Sequence, residues 1–206
     1  MGNILGSLKP EAVWNHFEEI CKCPRPSRKE DKIAAYVVSV GKRNNLETLR
    51  DEFGNVLIRK PATPGKENLT PVVLQGHLDM VAEKNSDVVH DFEKDPIKPF
   101  VDGDWVKATG TTLGSDNGIG VAAALAVLES KEVEHGPLEA IFTLDEETGL
   151  FGAQALKPGF LKSSILINLD SEEDGTLYIG CAGGQNTVVK IKYNQKDIPE
   201  NTVAIE

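Results

Sequence analysis

A chain of 206 residues with 40% hydrophobic side chains is long enough to bury a sizeable core. Its net charge of −10 excludes a surface built for nucleic acid or for an anionic membrane, because such partners need a basic stripe and none is present. The start, MGNILGSLKPE, lacks the basic and apolar regions of a secretory signal, and no apolar run reaches membrane-spanning length, so a cytoplasmic protein is expected.

The three cysteines, Cys21, Cys23 and Cys181, lack zinc-finger spacing and read as reduced thiols. Val13, Phe17 and Ile20 recur at helical spacing after Pro10, which predicts a helix over about residues 10–22, ended by CPRPS. Ile33, Val37 and Val40 predict a second helix over about residues 29–42. The period then changes to that of strands: LETLR and VLIRK flank DEFGN as a hairpin, and VVLQG follows a Pro-rich polar loop. DPIKPFVDGDWVKA predicts short strands around an Asp-Gly turn, and GIGVAAALAVLES a buried helix. LEAIFTL and ILINL are apolar strands separated by a short helix near residues 153–157, and TLYIG and TVVKIKY read as further strands. This alternation predicts an α/β fold, layered around a largely parallel twisted sheet.

The polar residues that end these strands form a pattern. His77 and Asp79 follow VVLQG, Glu146 and Glu147 follow LEAIFTL, and Asp170 follows ILINL. Open α/β sheets bind ligands beyond the carboxyl ends of their strands, so three segments converge on one crevice. Asp116 joins them if the alanine-rich helix starts at the same edge. Such a set of carboxylates with an imidazole needs cations. Nitrogen and oxygen donors suit zinc first, with manganese or cobalt as alternatives, and two ions suit the set better than one. In an extended segment residues i and i+2 share a face, so Asp79 can hold the His77 ring. Glu146 and Glu147 are tolerable side by side if one is a ligand and the other handles protons.

Other motifs fail on inspection. DSEEDG begins like a calcium loop but carries Cys181 where a bidentate Glu is required, and GTTLGSDNG has no Gly-Lys-Ser/Thr for phosphate. His16, His90 and His135 read as surface or capping residues.

VVLQGHLDMV, GTTLGSDNGIG, LDEETGLFGA and ILINLDSEEDGTLYIGCAGG, in that order, resemble the cytosolic dinuclear zinc dipeptidases of the aminoacylase and carboxypeptidase metallopeptidase family. The resemblance runs from about Leu8 to Gly184. It implies that His77 and Asp170 bind one metal, Glu147 the other, and Asp116 both, with Asp79 orienting His77 and Glu146 as general base. It implies a cis peptide after Asp116, a dipeptide substrate and, for the full enzyme, a homodimer. Relatives draw a further histidine ligand from beyond an inserted lid or dimerisation domain. Residues 1–184 are therefore expected to be the first part of a catalytic domain, and residues 185–206 the start of that insert or one more strand. A non-enzymatic metal-binding or interaction module, or a related aminopeptidase or deacylase, are the alternative functions.

Overall fold

The computed structural model describes residues 4–180, 183 and 187–194. It divides into a unit of residues 1–172 and a unit of residues 173–206.

In the first unit, α1 (Glu11–Cys21) and α2 (Asp31–Arg43) form where the apolar spacing predicts. Lys42 and Arg43 lie in the last turn of α2, where cations complement the helix dipole. The strands β1 (Glu47–Arg50) and β2 (Val56–Lys60) make the hairpin around DEFGN, followed by β3 (Val72–His77). A separate hairpin comprises β4 (Pro99–Asp102) and β5 (Trp105–Ala108). The remaining elements are α3 (Ser115–Glu129), β6 (Leu138–Thr143), α4 (Phe151–Gln154) and β7 (Ile165–Asn168).

The main sheet has the order β1-β2-β6-β3-β7. Strands β6, β3 and β7 are mutually parallel, whereas β2 runs antiparallel to both β1 and β6. The parallel expectation thus holds for three strands, and the hairpin makes the sheet mixed. A two-strand hairpin must reverse direction, so adding it beside β6 brings an antiparallel pairing into the sheet. Strand β6 is buried along its whole length, as its apolar run requires.

One large core, including Phe17, Ile33, Val37, Leu125, Leu128 and Phe142, lies under the three long helices. Burying each such side chain contributes about 1.5–3 kcal/mol relative to exposure. Helix α3 is apolar nearly all round because it packs on α1, α2, β3 and β6. Leu57, Val73 and Ile141 form a smaller core on the other side, covered by Leu156, Phe160 and Leu161. Strand β7 ends the sheet among the described residues, with Ile165, Leu166 and Ile167 between 44% and 54% exposed.

TLYIG and TVVKIKY are not strands: residues 176–180 and 187–193 carry no regular secondary structure. Their β-branched and aromatic residues favour strands, but that preference is expressed through packing on neighbours, and Leu177, Ile179 and Val188 are exposed. Cys21 and Cys23 are free thiols. Cys181 lies outside the described residues.

Candidate metal centre

Parallel pairing sets the site. His77 is the last residue of β3 and stands in register with Thr143 at the end of β6, while Gln75 faces Asn168 at the end of β7. Each strand therefore releases its polar residues at the same edge: His77 and Asp79, then Glu146 and Glu147, then Asp170. Asp116 arrives from the start of α3, where Asp116 and Asn117 are non-helical and their peptide bond is cis, as the resemblance implies.

The six residues singled out from the sequence come together. The His77 side chain is 1% exposed, and its Nε2 lies 2.8 Å from Asp116, 3.6 Å from Asp170 and 3.8 Å from Glu146. Ligand atoms of His77, Asp116 and Asp170 lie within 4.8 Å of one another, and so do those of His77, Glu146 and Glu147. On the far side of the ring, Nδ1 is 3.4 Å from Asp79 Oδ1 but has no hydrogen-bond partner.

Asp79 does more than face the ring. Its carboxylate accepts the main-chain N–H groups of Glu146 at 3.0 Å and Glu147 at 3.1 Å, and the Ser27 hydroxyl at 2.8 Å. Asn117 donates to Leu169 O at 2.7 Å and Asp170 Oδ1 at 2.9 Å, so it fixes the exit from β7. Gly76 leaves room for it: a Cβ there would stand 2.3 Å from Asn117 Oδ1. Asn55, fully buried, accepts from Leu144 N at 3.0 Å and donates to Gly152 O at 2.8 Å, which holds both ends of the acidic loop. Strand-end patterning points to none of these three supports; only the DEFGN turn hints at Asn55.

The protonation equilibria record crowded charge. Burial would lower the His77 pKa, but Asp170 and Asp79 outweigh it and raise it to about 10. Burial raises Glu146, with Asp170 and Asp79 adding to it against His77; burial and Asp116 raise Glu147. Burial would also raise Asp79, yet the His77 ring and the donors from Glu146, Ser27 and Glu147 hold it at about 2. Asp170 is lowered, chiefly by His77. Five carboxylates thus crowd one imidazolium, and two groups, His77 with Asp116 and Asp170 and His77 with Glu146 and Glu147, bring together the mixed nitrogen and oxygen donors that divalent cations take. The residues fit a metal.

A second acidic group, Glu30, Asp79 and Asp145, does not. Glu30 accepts from the main chain of Arg28 and Asp145, and Asp145 accepts from Arg28 and Thr148, so these buried oxygens already have donors. A cleft of about 330 Å³ bordered by Asp116, Asn117, Leu169 and Asp170 opens at the centre, whereas a larger cleft, about 530 Å³ and bordered by Arg50, Phe53 and Phe160, contains none of the cluster. His16 departs from expectation: it is buried, 2.7 Å from Tyr36 Oη and 3.1 Å from Glu129. Helical spacing sets it between Val13, Phe17 and Ile20 on the buried side of α1, where Tyr36 of α2 and Glu129 of α3 supply its polar partners.

Residues 73–198 match the peptidase family M20/M25/M40. The chain belongs to that family. Among M20/M25/M40 relatives, the cytosol non-specific dipeptidase of Escherichia coli strain K12 is 53% identical over 195 residues, which is 95% of this chain and 40% of the relative. The crystal structure of aminoacylhistidine dipeptidase from Vibrio alginolyticus is 53% identical with a TM-score of 0.82, covering 83% of this chain and 35% of that one. Aminopeptidase PepT from Bacillus cereus is 26% identical with a TM-score of 0.68, covering 84% of this chain and 45% of that one. The chain thus spans about 40% of the length of the curated relatives it matches.

Proposed function

We propose that the protein, at full length, is a metal-dependent dipeptidase, hydrolysing either Xaa-His dipeptides or dipeptides broadly. The observation that carries this reading is His77 Nε2 at 2.8 Å from Asp116, with Asp170 and Glu146 within 3.8 Å. Membership of a peptidase family and the dipeptidase names of two relatives at 53% identity support it.

His77 and Asp170 would hold one divalent ion and Glu147 another, with Asp116 shared. Zinc is the first choice and manganese or cobalt the alternatives. Bound there, such ions supply Lewis acidity to the scissile carbonyl and make a water acidic near neutral pH. Asp79 keeps the His77 ring oriented and holds the acidic loop through the N–H groups of Glu146 and Glu147. Glu146 is the general base: its carboxylate takes a proton from the attacking water and returns it to the leaving amine as the C–N bond breaks. Burial raises its pKa, which suits both halves of that task.

Among the described residues no other histidine joins the cluster. A cytoplasmic location accords with the cytosolic relative, and no helix among the described residues is long and apolar enough to cross a membrane.

The test is zinc titration of the chelator-treated full-length protein by calorimetry beside His77→Ala, with a dipeptide hydrolysis assay. Zinc binding and hydrolysis, both lost in His77→Ala, are expected; hydrolysis that survives chelation would refute the reading.

A further inference from the structure

Between α1 and α2 the chain runs through Pro24, Arg25, Pro26 and Ser27, whose prolines end one helix and delay the next. Arg25 is only 3% exposed. Its guanidinium donates to three main-chain carbonyls: Nη1 to Leu78 O at 3.0 Å and Asp79 O at 2.8 Å, and Nη2 to Gly114 O. These carbonyls belong to different segments. Leu78 and Asp79 lie on the exit from β3, next to His77, and Gly114 lies on the turn that delivers Asp116.

The surroundings are shaped for this side chain. A Cβ at Gly114 would stand 2.5 Å from Nη2, and one at Gly118 2.8 Å away, so two glycines of GTTLGSDNGIG leave the guanidinium its space. The neighbouring residues bind the same exit: Met80 N donates to Arg25 O at 3.2 Å, and Ser27 Oγ donates to Asp79 Oδ2. A planar fork can satisfy carbonyls from two segments at once, which a lysine ammonium on a flexible stem does poorly.

We propose that Arg25 is a positioning residue for the metal centre, fixing the segment that carries His77 and Asp79 against the segment that carries Asp116. This rests on the metal-centre reading above. A role as a bare charge makes the opposite prediction, because a buried cation repels a divalent ion and its removal would tighten metal binding.

The experiment uses the full-length protein as wild type, Arg25→Met, Arg25→Lys and Gly118→Ala. Two quantities are read: zinc affinity by competition with a chromophoric chelator, and amide hydrogen exchange of the metal-free protein. Gly118→Ala keeps the charge and favours the helix while crowding Nη2. Arg25→Met is expected to weaken zinc binding about tenfold or more, the size of effect typical of groups that orient metal ligands. Gly118→Ala should weaken it less, and Arg25→Lys should restore part of the loss. Exchange should quicken at residues 78–80 and 114–118 and stay unchanged in β2 and β6. Zinc affinity equal to or tighter than wild type in a folded Arg25→Met or Gly118→Ala protein overturns the proposal. If Arg25→Met does not fold, Gly118→Ala decides it by the same criterion. Wild type that binds no zinc refutes the proposed function instead, and unaltered exchange at 114–118 then separately overturns the role of Arg25.

Discussion

The Asp79 carboxylate accepts the main-chain N–H of Glu146 at 3.0 Å, across 67 residues of sequence. One buried acid therefore faces the His77 ring and also sets where the acidic loop begins. Asp79→Ala removes the acceptor for Glu146 N, Glu147 N and the Ser27 hydroxyl together. Hydrogen bonds to charged groups contribute about 1.5–3 kcal/mol each, and water will replace some, so a net loss of about 3 kcal/mol is expected. Urea denaturation of the metal-free protein measures it; a midpoint equal to wild type would contradict the role.

The proposed function gives the neighbours Glu146 and Glu147 separate duties. On that reading, Glu146→Gln in the full-length protein should retain zinc binding and lose about 10²–10⁴-fold in kcat. Glu147→Gln should instead lose zinc stoichiometry. Identical metal content and identical rates in the two variants would sink this division.

Zinc binding should expel a proton. In the metal-free protein the His77 pKa is raised to about 10, above the ordinary 6.5. Its imidazolium therefore stabilises the metal-free fold below pH 6.5, and that contribution is lost as pH rises through about 10. An imidazole binds a metal only in its neutral form, so at pH 7 binding displaces about one proton from His77 and affinity rises up to about tenfold per pH unit. Calorimetry in buffers of different ionisation enthalpy reads this directly, and a binding enthalpy independent of buffer would exclude it.

His16 predicts a separate acid sensitivity. Burial lowers its pKa from the ordinary 6.5, against the pull of Glu129. The unfolded chain then binds a proton that the native state resists, so stability falls as pH drops below 6.5. Glu129 adds a second loss at lower pH: burial would raise its pKa, but Arg43 and Asn44 lower it, and its contribution disappears below the ordinary 4.5 as pH falls through the folded value. His16→Gln should flatten the melting temperature between pH 6.5 and 5.5. A slope identical to wild type would show that another group titrates.

The strand ends were legible because short apolar runs mark β3, β6 and β7, and parallel neighbours place the polar residues that follow such runs at one edge of the sheet. His77, Glu146 and Asp170 follow from that rule, and so do the helices carrying Phe17 and Val37. The supports were not legible. Arg25, Asn55 and Asn117 act through main-chain carbonyls and N–H groups of distant segments, and a side chain aimed at backbone leaves no pattern in the residues it touches. TLYIG shows the reverse failure: residues with strand preference that form no strand.

Because the centre is assembled from the ends of β3, β6 and β7, its donors meet only through contacts between residues far apart in sequence, such as His77 with Glu146 and Asp170. Contacts of long sequence separation form late, since closing their loops costs entropy before pairing repays it. A growing or partly folded chain therefore presents scattered carboxylates and no chelating pocket. On the proposed metal-centre reading, capture of a divalent ion therefore follows closure of the β6-β3-β7 ladder.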